Sequence, residues 1–150
     1  MIRVLEAPFD PGQELGRFTA QCGPDTGGIA SFVGLVRDSH EGRVVHAMTL
    51  EHYPGMTERK LAEIEAEARA RWPLSATLVI HRYGRMLPGE PIVLVATASS
   101  HRSAAFEACA FLMDWLKTKA PFWKLEETDA GERWVEAKAS DDEAAARWWG

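Results

Sequence analysis

The chain has 150 residues, 46% of them hydrophobic and 26% charged, with a formal net charge of −5. That length suits one domain over 1–150 with a proper core, and the acidic balance argues against a general nucleic-acid footprint. Two cysteines, Cys22 and Cys109, make no disulfide framework, and with neither an apolar signal core nor a bilayer-length apolar run a cytoplasmic location is expected.

Ile2 to Leu5 reads as a short strand. Asp10-Pro11-Gly12-Gln13 then predicts a helix start, with Asp as N-cap, Pro in the first turn and Gln closing a capping box. Leu15, Phe18 and Cys22 give that helix its apolar stripe. The loop 22–28 holds several glycines but lacks the spacing and the Lys-Ser/Thr ending of a P-loop. Ile29 to Arg37 and Val44 to Tyr53 read as strands joined by the polar turn 38–43, a hairpin with a long loop. Gly34 inside the first of them predicts a bulge or a close backbone approach.

Pro54-Gly55 is a turn, and Thr57 is the expected cap of a helix over 58–71. Leu61, Ile64 and Ala68 should face inward, with Glu58, Arg59, Lys60, Glu63, Glu67 and Arg69 on a solvated face. Strand 76–83 ends in His81-Arg82-Tyr83-Gly84, and strand 91–98 is apolar enough to lie centrally in a sheet.

The stretch 99–124 joins a buried helix to cations at both of its ends. Ser100 or Ser103 is the expected cap, and Pro121 stops the helix. Phe106, Cys109, Ala110, Met113 and Leu116 fall on one apolar face, while Ala105, Ala108, Leu112 and Trp115 fall on the adjoining one. His101 and Arg102 sit at the strand-to-helix junction, Lys117 and Lys119 in the last turn, and Lys124 just past the proline. Lysines at a helix C-terminus answer the macrodipole, which suffices for Lys119, but the whole set at such a junction points to a site.

Residues 123–128 and 133–137 form a second hairpin through Asp129-Ala130-Gly131. Ser140 to Glu143 is a further capping box, opening a tail helix whose Trp148 and Trp149 should pack on the body or on a partner. Hairpins interleaved with helices argue for an α+β fold with a mixed or antiparallel sheet.

The chemistry narrows by elimination. The histidines at 40, 46, 52, 81 and 101 lack zinc-ligand spacing, although His46 and His52 share one strand face through Met48 and Leu50. Ser99-Ser100-His101 has no flanking glycines for a nucleophile elbow, and mid-helix Cys109 is a poor nucleophile. What remains is a lysine, arginine and histidine set able to bind an anion, stabilise an oxyanion or move protons.

Several motifs then occur in order: Phe32-Val-Gly-Leu-Val-Arg37, Leu50-Glu-His-Tyr-Pro-Gly-Met56, His81-Arg-Tyr-Gly84, Pro88-Gly-Glu90, Ser99-Ser-His-Arg102, Lys117-Thr-Lys-Ala-Pro-Phe-Trp-Lys124 and Gly131-Glu-Arg-Trp-Val-Glu136. Along nearly its whole length the chain resembles the large, catalytic subunit family of molybdopterin synthase. The resemblance implies an α/β-hammerhead fold with an additional C-terminal hairpin. It also implies a homodimer that binds a small ubiquitin-like sulfur-carrier subunit at each end, making a heterotetramer. The carrier's Gly-Gly tail would bring a C-terminal thiocarboxylate, whose sulfur passes to cyclic pyranopterin monophosphate (precursor Z) to build the dithiolene of molybdopterin. No metal and no resident cofactor are implied. By the same resemblance Lys117 and Lys124 are the catalytic lysines, and Phe32, Arg37, His101 and Arg102 bind substrate, with Lys138 a looser match. The alternative is a non-catalytic module that docks an acidic tail.

Overall fold

The computed structural model describes residues 1–135 and 139–149. The elements run β1 (Ile2–Leu5), α1 (Pro11–Gln21), β2 (Gly28–Leu35), β3 (Ser39–His40), β4 (Arg43–His52), α2 (Met56–Arg71) and β5 (Leu74–Arg82). They continue with β6 (Gly84–Met86), β7 (Pro91–Ser99), α3 (Arg102–Thr118), β8 (Phe122–Thr128), β9 (Gly131–Val135) and α4 (Ala139–Trp149). The α+β expectation holds, with two sheets. One has the order β1-β5-β7-β2; the other runs β3-β4-β8-β9, with β6 also paired to β4. The β1–β5 pair is parallel and the remaining pairs are antiparallel, so the first sheet is mixed.

Strand β7 is central and buried, as its unbroken apolar run requires. Side chains alternate along it. Val93 and Val95 join Val79 of β5 against α2 and α3, whereas Leu94, Ala96 and Ala98 join Leu78 and Ile80 against Phe18 of α1. The four-stranded sheet is thus sandwiched between α1 on one face and the α2–α3 pair on the other. A third cluster, Val36, Met48, Leu50 and Met86, fills the join to the second sheet.

The expected hairpin between residues 29–37 and 44–53 does not form. β2 pairs with β7, while β4 pairs with β8 and β6. The polar turn instead folds into the two-residue strand β3 against the start of β4. Gly34 behaves as expected: the β2–β7 register shifts between Gly34 and Leu35, and a Cβ at Gly34 would sit 2.7 Å from Val93 Cγ1. The face shared by His46 and His52 is broken by a register shift between Val45 and Ala47, which leaves His46 exposed while Met48 is buried.

Three caps differ from expectation. Asp10 accepts from the Gly12 and Gln13 backbone N–H groups, but no return bond from the Gln13 side chain occurs among the described residues. The N-cap of α2 is Gly55, whose N–H donates to Glu58; Thr57 lies inside the helix, buried, and donates to the Tyr53 carbonyl. The N-cap of α3 is His101, not Ser100 or Ser103, and its N–H donates to Ser99 Oγ at 3.4 Å. Phe106 is also misplaced by periodicity alone, since it is 64% exposed and Phe111 is fully buried in its stead.

The tail helix packs on the body. Trp148 meets Trp72 and Phe111 edge-on, and its indole N–H donates to Asp114 at 2.6 Å. The Arg71 guanidinium and the Lys119 ammonium each lie over the Trp149 ring. The Ser140 side chain lies outside the described residues. Among the described residues no helix is long and apolar enough to cross a membrane.

Candidate active site

The cations gather at the two ends of α3, and the strands it crosses show which end each occupies. β2, β7 and β5 share a rung formed by Gly34, Val93 and His81. Beyond that rung β2 leaves the sheet through Val36, whose N–H donates to the Glu90 carbonyl, and reaches Arg37. The other end of β7 is Ser99, paired with Gly28 and Leu74, and it delivers His101 and Arg102.

Lys117 lies in the last turn of α3, and its charge bears on His81. Lys124 follows from β8, where Phe122 stacks face to face on His81, the ring centroids 3.9 Å apart and the planes 16° from parallel. Lys124 pairs in register with Leu50 of β4. One end of the molecule therefore holds Lys117 and Lys124 around the His81–Phe122 stack, with Arg37 on the same side of the sheet's rungs.

His101 and Arg102 do not join that group within one chain. Both are exposed, and α3 holds Arg102 and Lys117 about 22 Å apart at 1.5 Å per residue. Their junction is nonetheless tightly built. The Gly27 N–H donates to the Ser99 carbonyl, and a Cβ on Gly27 would lie 2.1 Å from the Ser100 carbonyl oxygen. The glycines of loop 22–28 thus serve close packing against this junction.

Phe32 lies on β2, the terminal strand of its sheet, and is 45% exposed, with Val33 and Leu35 exposed beside it. The edge is apolar on both faces. Lys138 lies outside the described residues.

Behind the lysines stands a set of groups that were not among the expected site residues. His81 is buried, and burial above all pushes its pKa down to about 4, with Lys117 and His52 pushing the same way against the Arg82 carbonyl. Its Nδ1 lies 3.0 Å from that carbonyl oxygen. His52 sits 4.4 Å from Tyr83, and its Nδ1 lies 2.9 Å from the Thr57 hydroxyl. On the strand face of Lys124, Glu126 is buried between His40 and Arg133, at 2.8 and 3.2 Å. Burial pushes the Glu126 carboxyl up, but hydrogen bonds from His40 and Arg133 and the charges of His40 and Lys124 outweigh it and hold it below the usual range. The available signal for His81 was its place at the end of an apolar strand, where a histidine has no packing reason to stand.

A thiol nucleophile does not fit this geometry. Burial pushes Cys109 up to about 11, which keeps it protonated near neutral pH. The arrangement is one of fixed positive charge with a neutral imidazole behind it, suited to holding and polarising an anionic substrate.

Comparison with known proteins identifies the family. The family model described as "MoaE protein" matches residues 4–119. The molybdopterin synthase catalytic subunit of Pseudomonas aeruginosa is 58% identical over 147 residues, covering 98% of this chain and 97% of that protein. Among solved structures, the molybdopterin biosynthesis MoaE protein from Burkholderia ambifaria MC40-6 superposes with a TM-score of 0.83 at 51% identity, covering 100% of this chain and 98% of that one. Molybdopterin synthase from Staphylococcus aureus gives a TM-score of 0.80 at 28% identity, covering 89% and 95%. The chain belongs to the MoaE family, whose relatives at this level of identity are molybdopterin synthase catalytic subunits.

Proposed function

We propose that the chain works as the catalytic subunit of a molybdopterin synthase, a sulfurtransferase that moves sulfur from the C-terminal thiocarboxylate of a small ubiquitin-like carrier to cyclic pyranopterin monophosphate. Two such transfers build the dithiolene of molybdopterin. The observation that carries the reading is the clustering of Lys117 and Lys124 around the His81–Phe122 stack, at the end of the molecule where Arg37 also emerges. A cytoplasmic location and a single catalytic domain over 1–150 belong to the same reading.

Each residue has a role that its chemistry suits. Lys117 is an acid or electrostatic clamp for the oxyanion that forms as the thiocarboxylate reacts. Lys124 and Arg37 hold the phosphate and pterin, the arginine through a bidentate fork. A Gly-Gly tail is narrow enough to reach such a group in extended form, and its anionic end is drawn to the lysines.

His101, Arg102 and Phe32 enter through a second copy of the chain. Arg102 is about 22 Å from Lys117 along α3, too far for one small substrate to touch both. The unpaired apolar edge at Phe32, Val33 and Leu35 is the surface on which the homodimer is proposed to close. With a carrier at each end the assembly is a heterotetramer.

The test mixes the purified chain with thiocarboxylated carrier and precursor and assays molybdopterin. Product that requires both the carrier and this chain supports the reading. Carrier binding without product would leave the rival, an acidic-tail docking module. Turnover of the phosphate ester without carrier would make the chain a different enzyme.

A further inference from the structure

Arg37 is exposed, yet the backbone on both sides of it is pinned. The Val36 N–H donates to the Glu90 carbonyl at 3.0 Å, and the Val36 carbonyl accepts from the Gly89 N–H at 2.8 Å. The Asp38 carbonyl accepts from the Val45 N–H of β4 at 2.9 Å. The Val36 side chain is buried with Met48, Leu50 and Met86. Arg37 therefore stands at the crossing between the two sheets with its base fixed and its side chain open to solvent.

Both bonds to the Val36 backbone come from the turn Leu87-Pro88-Gly89-Glu90, so the shape of that turn sets where Arg37 emerges. The Glu90 N–H donates to the Leu87 carbonyl at 3.1 Å, and one Glu90 carboxylate oxygen accepts from the Leu87 N–H in return. The other oxygen accepts from the Arg82 guanidinium at 3.3 Å. Arg82 is itself buried at the end of β5, and its Nε donates to the Glu6 carbonyl at 2.9 Å. The Glu90 side chain is partly exposed, so its place in the chain is not set by packing. The Leu87 N–H above all, helped by Arg82 and against desolvation, holds its carboxyl below the usual range, which keeps the acceptor ionised near neutral pH.

We infer that Glu90 is a positioning residue for Arg37: its carboxylate, gripped by the buried Arg82, fixes the turn whose backbone holds Val36, so that the arginine fork meets the substrate anion already placed. The inference rests on the assignment of Arg37 to the substrate and deepens it. Ordering a long side chain on a ligand costs conformational entropy, and a fixed backbone leaves less of it to be lost. Bidentate contact with a phosphate also tolerates little displacement of the fork.

The test uses the full chain with thiocarboxylated carrier and precursor, and reads KM for the precursor at saturating carrier beside kcat, carrier affinity and the unfolding midpoint. Glu90→Ala should raise that KM about 10-fold, with kcat and carrier affinity within about twofold of wild type. Glu90→Gln keeps an oxygen for the Leu87 N–H and should raise it only about threefold. In an Arg37→Ala background neither substitution should raise KM further, because the group being placed is gone. A simple offset of the buried Arg82 charge would instead lower the unfolding midpoint and act on KM equally with or without Arg37. A wild-type KM in folded Glu90→Ala, or a rise that persists without Arg37, would overturn the inference. Should Glu90→Ala fail to fold, Glu90→Gln carries the same comparison, and an unchanged KM or a persisting rise overturns the inference there. Arg37→Ala alone separates the two levels. If it leaves KM for the precursor unchanged, the assignment of Arg37 to the substrate fails and this inference with it; if it raises KM while the Glu90 effect persists, this inference alone fails.

Discussion

Arg102 and Lys117 open and close the same helix, and about 22 Å of α3 lies between them. Two cations proposed for one pocket cannot come from one copy of this chain. Mixing inactive variants tests that directly. If each pocket takes Lys117 from one chain and Arg102 from its partner, an Arg102→Ala/Lys117→Ala heterodimer contains one intact site. Random reassociation of the two variants should then restore about a quarter of wild-type sites. Recovery of molybdopterin synthesis is the readout. Two dead variants that stay dead on mixing, with exchange confirmed, would mean that the pocket is built otherwise.

The His81 imidazole makes a prediction in stability and pH. Its pKa is about 4 in the folded chain against 6.5 for the free side chain. Between these values the unfolded chain binds the extra proton and the folded chain does not, so stability falls as the pH drops from 6.5 to 4 and levels off below that. The full difference amounts to about 3 kcal/mol. Urea unfolding at several pH values should show this loss, and His81→Phe should lack it.

Two adjacent glycines separate close approach from open space. Gly27→Ala drives a methyl into the Ser100 carbonyl, whereas a Cβ on Gly28 would meet nothing within 4 Å. The first substitution should lower unfolding free energy by about 3 kcal/mol and reduce turnover through the His101–Arg102 junction. Gly28→Ala should stay within about 0.5 kcal/mol of wild type. Equal losses at both positions would contradict the packing described for this loop.

The inward face of α3 is decided by Phe111. Phe111→Ala should lower stability by about 3–5 kcal/mol, as expected for a fully buried aromatic that also meets Trp72 and Trp148. Phe106→Ala, at a side chain already 64% exposed, should leave the stability of the isolated chain within about 0.5 kcal/mol. Chemical denaturation of the two variants reads the difference.

Much of the local structure was legible from the residues alone. Asp10-Pro11 capped its helix, Gly34 marked the bulge, and the apolar run at 91–98 was central. Caps, breakers and hydrophobic period act over a few residues, so they are written in the chain itself. The cations at both ends of α3 were visible for the same reason, and the motifs around them carried the family.

Only the tertiary structure decided which strands pair and which groups meet. β2 left its sequence neighbour β4 for β7, because its apolar residues are completed by a central strand distant in sequence. Phe106 and Phe111 are both apolar and helical, and the partner surface alone selected Phe111 for the core. His81 and Phe122 are 41 positions apart, yet they stack within 3.9 Å and put Lys117 and Lys124 at one end of the fold. Local patterns set what each segment is; long-range packing sets where its chemistry points, since register and burial are properties of pairs of surfaces and not of any single stretch.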